Sequence, residues 1–204
     1  MMLHKRPRVE GARETEILDA CIGLLVEIGY DRLTMDAVAH RAKASKATLY
    51  RRWASKPSLV VDALERAKKA PQVDNVDTGN LRDDLVESFC GPSGLTDSDN
   101  GALMAALVTA LAFDPEFATE FRTRFLAPKV QTTKAMYERA RERGEIGDEV
   151  DLDMLAPALA GILLHRTFLL GLPVDRKVVE TVVDQIILPA ARGRQASQPT
   201  RGTR

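Results

Sequence analysis

Residues 45–56 read SKATLYRRWASK, and the spacing of their side chains decides what this chain is. Four cations, Lys46, Arg51, Arg52 and Lys56, stand beside Tyr50 and Trp53 in a segment too short to persist as an isolated helix. At about 100° per residue, Leu49 and Trp53 project to one side, while Arg51 points to the other, flanked by Ala47, Thr48 and Tyr50. One side anchors and the other is free to read. Ser45 supplies a hydroxyl to cap the first turn.

Working outward, Thr34 is an N-cap for a preceding short helix in which Met35, Val38, Ala39 and Ala42 follow i, i+3, i+4 and i+7. The turn Lys43-Ala44-Ser45 joins it to the next helix, so residues 34–53 form a helix-turn-helix. Upstream, Ile17, Cys21, Leu24, Leu25 and Ile28 make an amphipathic stripe that Gly29 stops. Downstream, Lys56-Pro57 opens a fourth helix through Leu59, Val60, Ala63, Leu64 and Ala67, with proline suited to the first turn.

In a helix-turn-helix, the free side of the second helix enters a major groove. Small Ala47 allows close approach to a base edge, Arg51 offers the two-donor fork that matches guanine, and Thr48 suits a hydroxyl contact or a thymine methyl. Tyr50, Lys46 and Lys56 suit phosphates, which fix register without reading sequence. Arg52 points sideways and suits a base contact, a phosphate contact or neither. The bland alternative is a solvated basic helix. Charge distribution points to an anionic partner at the front: residues 1–70 hold 14 Lys+Arg against 9 Asp+Glu, and residues 71–204 hold 15 against 20, although the whole chain is neutral.

Gly29-Tyr30, Thr34-Met35, Val38-Ala39, Ala42, Ser45, Thr48-Leu49-Tyr50-Arg51, Trp53, Lys56 and Leu59 together resemble the signature of the TetR (tetracycline-repressor-like) family of bacterial regulators, across residues 13–67. The chain departs at the turn, with Lys43-Ala44 where members commonly have Gly-Val. That change removes the most permissive residue and adds a cation within reach of a phosphate. The resemblance implies an all-α protein of about nine helices: an N-terminal three-helix DNA-binding domain and a larger C-terminal ligand-binding and dimerisation domain. It implies a homodimer on a palindromic operator, a small-molecule effector and a cytoplasmic location. The expected DNA contacts are Thr34, Lys43, Ser45, Lys46, Ala47, Thr48, Tyr50, Arg51 and Lys56. The expected domains are a flexible basic arm over 1–12, the DNA-binding domain over 13–70, the C-terminal domain over 80–190 and a flexible tail over 191–204.

Further helices are read over Leu81 to Cys90, stopped by Gly91-Pro92, and over Asn100 to Phe113, with 71–79 as a linker. A long helix runs from Pro115 to Gly144 with a bend at Pro128 and a phenylalanine every four residues at 117, 121 and 125. Residues 152–164, LDMLAPALAGILL, are apolar almost all round, and Val178, Val179, Val182, Val183, Ile186 and Ile187 form a β-branched stripe. A monomer has difficulty hiding both, which points to pairing in a four-helix bundle. The segments "ERGEI", "VDLDML" and "LLHRTFLLGLPVD" are similar to one C-terminal subgroup of the family.

An enzyme is not expected. The chain has no Gly-rich phosphate loop after a strand, no HExxH pair and no nucleophile elbow, and His4, His40 and His165 are scattered. Neither a metal nor a cofactor is expected. Cys21 and Cys90 lack metal or disulfide spacing and read as core filling in a reducing compartment. The start lacks the apolar core of a signal peptide. Candidate effector-lining residues are Phe89, Met104, Leu107, Phe121, Phe125, Met136 and Tyr137, with His165 and Arg166 to orient a polar group. Helical-period aromatics are more often core, and His165-Arg166 reads more readily as a hydrogen-bonded pair at an interface edge. The competing function is a helical binding or enzymatic protein whose basic front meets some other acidic partner.

Overall fold

The computed structural model describes residues 10–67, 76–91, 95–96 and 98–193. The expected basic arm falls partly outside them, and so do most of the 71–79 linker and the tail beyond 193. Within them, α1 begins at Glu10, three residues inside the stretch read as an arm. The chain is all-α, with α1 (Glu10–Arg32), α2 (Met35–Arg41), α3 (Lys46–Arg52), α4 (Lys56–Ala67), α5 (Leu81–Cys90), α6 (Ser98–Phe113), α7 (Pro115–Glu120), α8 (Ala127–Glu142), α9 (Leu152–Leu155), α10 (Ala158–Phe168), α11 (Arg176–Val182) and α12 (Leu188–Ala191). Phe121–Leu126 and Val183–Ile187 are π-helical and join α7 to α8 and α11 to α12. Counting each such rod once and setting aside the single turn α9, the described residues hold nine helices. No helix among them is long and apolar enough to cross a membrane.

The described residues fall into two compact units. The first comprises residues up to 67 together with Ala102–Leu126; the second comprises 76–101 and 127–193. Besides a division near residue 70, where composition also changes, the units divide within α6 and within the rod 115–142.

In the N-terminal unit, Ile17, Leu18, Cys21, Leu24 and Leu25 of α1 are buried along α4. Gly29 interrupts α1 at φ 77°, a conformation that penalises any Cβ, and Tyr30 and Leu33 then turn into the core. Leu59, Val60, Val61, Ala63 and Leu64 are all fully buried, because α4 is covered on one side by α1 and on another by α7 and the π segment 121–126. Each large aliphatic side chain so buried contributes about 1.5–3 kcal/mol. Tyr30, Phe117, Phe121 and Phe125 stack in sequence at centroid separations of 4.5, 5.8 and 5.0 Å. Burial pushes the Cys21 thiol up to about 12, so it is an inert core group.

In the C-terminal unit, Leu81, Leu85, Val86 and Phe89 of α5 form a buried cluster with Tyr137 and Ala140 of α8, Leu155, Leu159 and Leu163 of the α9–α10 region, and Val179, Val183 and Ile187. Asn80 caps α5 by accepting from Asp83 N at 2.9 Å. Buried Asp84 accepts from Thr78 N and Oγ1 at 2.6 and 2.8 Å and faces Arg143 at 3.5 Å, so its charge is compensated.

Two expectations need correction. Residues 152–164 are not one helix: Pro157 cannot donate a backbone bond, and the chain breaks into α9 and α10 around it. The β-branched stripe is not an exposed seam either. Val179, Val182, Val183 and Ile187 are buried inside the unit, Val178 is half-buried, and only Ile186 is 48% exposed. One chain's own core thus hides most of what periodicity assigns to a partner. The rod 115–142 also departs from α geometry before Pro128, over Phe121–Leu126, where the widened turn accommodates the proline ring.

Candidate DNA-binding face

Two caps build the reading head. Thr34 Oγ1 accepts from Ala37 N at 3.1 Å, opening α2. Ser45 Oγ accepts from Thr48 N at 3.1 Å, opening α3, and shares a 2.8 Å bond with Thr48 Oγ1. Such caps are each worth about 1 kcal/mol. Both hydroxyls expected to touch DNA, with that of Thr48, are therefore engaged in holding the helix ends.

The turn between them closes as a Schellman motif: Lys43 N donates to His40 O at 3.1 Å and Ala44 N to Ala39 O at 2.8 Å. Lys43 occupies the left-handed position at φ 50°, where glycine is normally found. An Arg13 guanidinium hydrogen bond to the Lys43 carbonyl holds the turn from α1. The lysine side chain itself is exposed.

On α3, Leu49 and Trp53 are buried, while Ala47, Tyr50 and Arg51 are exposed, Tyr50 at 55%. Trp53 Nε1 donates to Asp62 Oδ2 at 2.8 Å, and Arg124 donates to the other oxygen of that carboxylate. These bonds fix the rotation of α3 about its axis. Arg51 has no hydrogen-bond or ion-pair partner among the described residues, so its fork is free. Lys46 pairs with Asp36 in an exposed, solvent-screened contact that a phosphate can replace. That pairing raises the Lys46 pKa through its hydrogen bond to Asp36, so the amine stays charged.

Two cations have tasks that the sequence did not disclose. Arg52 pairs with Glu14 at 3.1 Å and lies over the Trp53 ring, tying α3 to α1. Lys56, read as a phosphate contact, is half-buried; its Nζ donates to Tyr30 O at 3.2 Å and sits 3.9 Å from the Tyr30 ring centroid. Arg13, Glu14, Asp36 and Asp62 were missed as supporting residues because their partners lie 9 to 38 positions away, outside any helical period.

The candidate effector residues divide between the units. Leu107, Phe121 and Phe125 belong to the N-terminal core, and the last two complete its aromatic stack. Phe89, Met136, Tyr137, His165 and Arg166 belong to the C-terminal unit, while the Met104 side chain lies outside the described residues. His165 is exposed, and Arg166 Nε donates to Pro173 O at 3.0 Å, holding the loop after α10. Tyr137 is fully buried, and its hydroxyl has no hydrogen-bond partner among the described residues. Leaving such a group unpaired costs about 1–3 kcal/mol. No metal-ligating group of His, Cys, Asp and Glu occurs among the described residues.

Comparison with known proteins matches both halves of the chain. Residues 17–63 match the family described as "Bacterial regulatory proteins, tetR family", and residues 75–186 match "Tetracyclin repressor-like, C-terminal domain". The HTH-type transcriptional regulator YdeS of Bacillus subtilis is 30% identical over 96% of both chains. The DNA-binding transcriptional repressor TetR of Mycobacteroides abscessus is 32% identical over 88% of this chain and 94% of its own. Among solved structures, the TetR family transcription regulator SCO0332 superimposes with a TM-score of 0.65 at 30% identity, covering 87% of this chain and 97% of the other. With both halves matched, and with the second helix of the helix-turn-helix presenting a free face, the chain belongs to the TetR family of transcriptional regulators, a DNA-binding and non-enzymatic family.

Proposed function

We propose that the protein is a repressor that binds a palindromic operator as a homodimer and is released from it by a small-molecule effector. One observation carries the DNA-reading part: Ala47, Tyr50 and Arg51 are exposed on a helix whose opposite side, Leu49 and Trp53, is locked in the core. Arg51 reads a guanine, Ala47 permits close approach, and Tyr50, Lys46 and Lys43 hold phosphates. Thr34, Ser45 and Thr48 shape the helix ends against the backbone, and Lys56 acts through Tyr30. The repressor sign is supported by the Mycobacteroides abscessus relative, which carries that designation.

The C-terminal unit leaves Met154, Leu169, Leu170, Leu172 and Ile186 exposed. Apolar side chains in such number on one unit suit a self-complementary contact, and a two-fold dimer matches a palindromic site. Effector binding in that unit weakens DNA affinity only by its differential affinity for the two conformations, and operator DNA weakens effector binding by the same factor.

Gel-shift titration of DNA from upstream of the protein's own gene tests the reading. Arg51→Ala is expected to lose about 1–3 kcal/mol of discrimination between operator and scrambled DNA. Unchanged discrimination sinks the assignment of Arg51 as the base-reading residue.

A further inference from the structure

Tyr137 stands apart from the other buried polar groups of its unit. It lies on α8 in the cluster formed with Leu85, Phe89, Leu159 and Leu163, at 0% exposure. Its hydroxyl has no partner among the described residues. A phenylalanine would fill the same space without burying an unpaired hydroxyl. Arg139 Nε and Arg141 Nε are also buried and unpaired, but both guanidiniums already donate elsewhere, to Val76 O and Val150 O. The unpaired hydroxyl is thus the one group in that cluster prepared to orient a guest.

The surroundings define the guest's chemistry. Asp84, the one fully buried charged side chain in the described part of the unit, is committed to Thr78 and Arg143. Among the described residues of the apolar cluster, nothing balances a second buried charge. Burial pushes the Tyr137 phenol above its ordinary range, so it stays protonated and remains a donor.

We infer that the effector is a neutral, largely apolar molecule carrying one hydrogen-bond-accepting oxygen, and that the Tyr137 hydroxyl donates to that oxygen. The inference rests on the effector-release reading above and adds the ligand's class and the residue that selects it.

Octan-2-one, octane and octanoate serve as probes that differ only in their polar end. Each is titrated into the full chain by thermal shift, with wild type and Tyr137→Phe side by side. Octan-2-one is expected to raise the wild-type Tm in a saturable way, and Tyr137→Phe is expected to bind it at least about tenfold more weakly while starting from an equal or higher Tm. No saturable binding of octan-2-one overturns the inference. Equal binding of octane, tighter binding of octanoate, or unchanged affinity in Tyr137→Phe does the same. Gel shifts with the same ketone separate this inference from the reading beneath it. Release of operator that is identical in wild type and Tyr137→Phe keeps effector release and removes Tyr137's role. Binding that depends on Tyr137 but leaves the operator complex intact keeps the site and removes effector release.

Discussion

The two units treat a buried tyrosine in opposite ways. Tyr30 in the N-terminal unit donates to Asp114 Oδ2 at 2.7 Å, stacks on Phe117 and carries Lys56 over its ring. Tyr137 in the C-terminal unit is as well buried and has no partner for its hydroxyl among the described residues. Trp53 repeats the first pattern through Asp62. A head that reads DNA must hold α3 within a fraction of an ångström, so its interior polar groups are spent on rigidity. On the effector-release reading proposed above, the C-terminal unit keeps the Tyr137 donor in reserve for a ligand.

The strongest way to break this contrast is inside the C-terminal unit. Val183→Glu places an unpaired carboxylate in the core and is expected to cost more than about 4 kcal/mol, losing the helical circular-dichroism signal of that unit. Ile186→Glu, three residues on and exposed, is expected to keep the fold and shift light scattering from dimer to monomer. A dimer that survives Ile186→Glu would move the interface elsewhere on this unit.

Asp62→Ala probes the N-terminal unit. It leaves Trp53 Nε1 buried without an acceptor and Arg124 without its nearest carboxylate, and is expected to cost about 2–3 kcal/mol by urea unfolding. A loss below about 0.5 kcal/mol would show that the head does not depend on its polar contacts. The smallest effect is expected at the turn. Lys43→Gly relieves the left-handed residue and should stabilise by about 0.5–1 kcal/mol. The same change should reduce the salt dependence of DNA binding by about one unit if the cation holds a phosphate.

Much of the fold was legible because its signals are local. The caps Thr34 and Ser45 and the bounds Leu81–Cys90 follow from residues within one turn of one another. The sides of α3 follow from the period alone. What periodicity cannot say is which neighbour covers an apolar side, so the valine stripe reads as a contact with a partner chain when its own unit buries most of it. Nor can it reach Glu14 from Arg52, or Tyr30 from Asp114, 84 positions away. Lys56 shows the same limit: its type fits a phosphate, and only the folded chain reveals the Tyr30 carbonyl beside it.

The second π segment carries an arithmetic that the sequence already held. Val179, Val183, Ile187 and Ala191 are all buried, and they recur strictly every four residues. In an unbroken α-helix a repeat of four gains about 40° at each step and would wander off the core within three steps. A wider π turn, of about 4.4 residues, loses roughly as much as an α step gains, so the alternation keeps all four on one side. Phe117, Phe121 and Phe125 obey the same count around Phe121–Leu126. A π turn is in effect one residue inserted into a helix. The winding of Val183–Ile187 is therefore what holds the register: α winding over the same twelve steps from Val179 would carry Ala191 about 120° off the core, whereas excising a single residue there would restore α winding and leave Ala191 within about 20° of it.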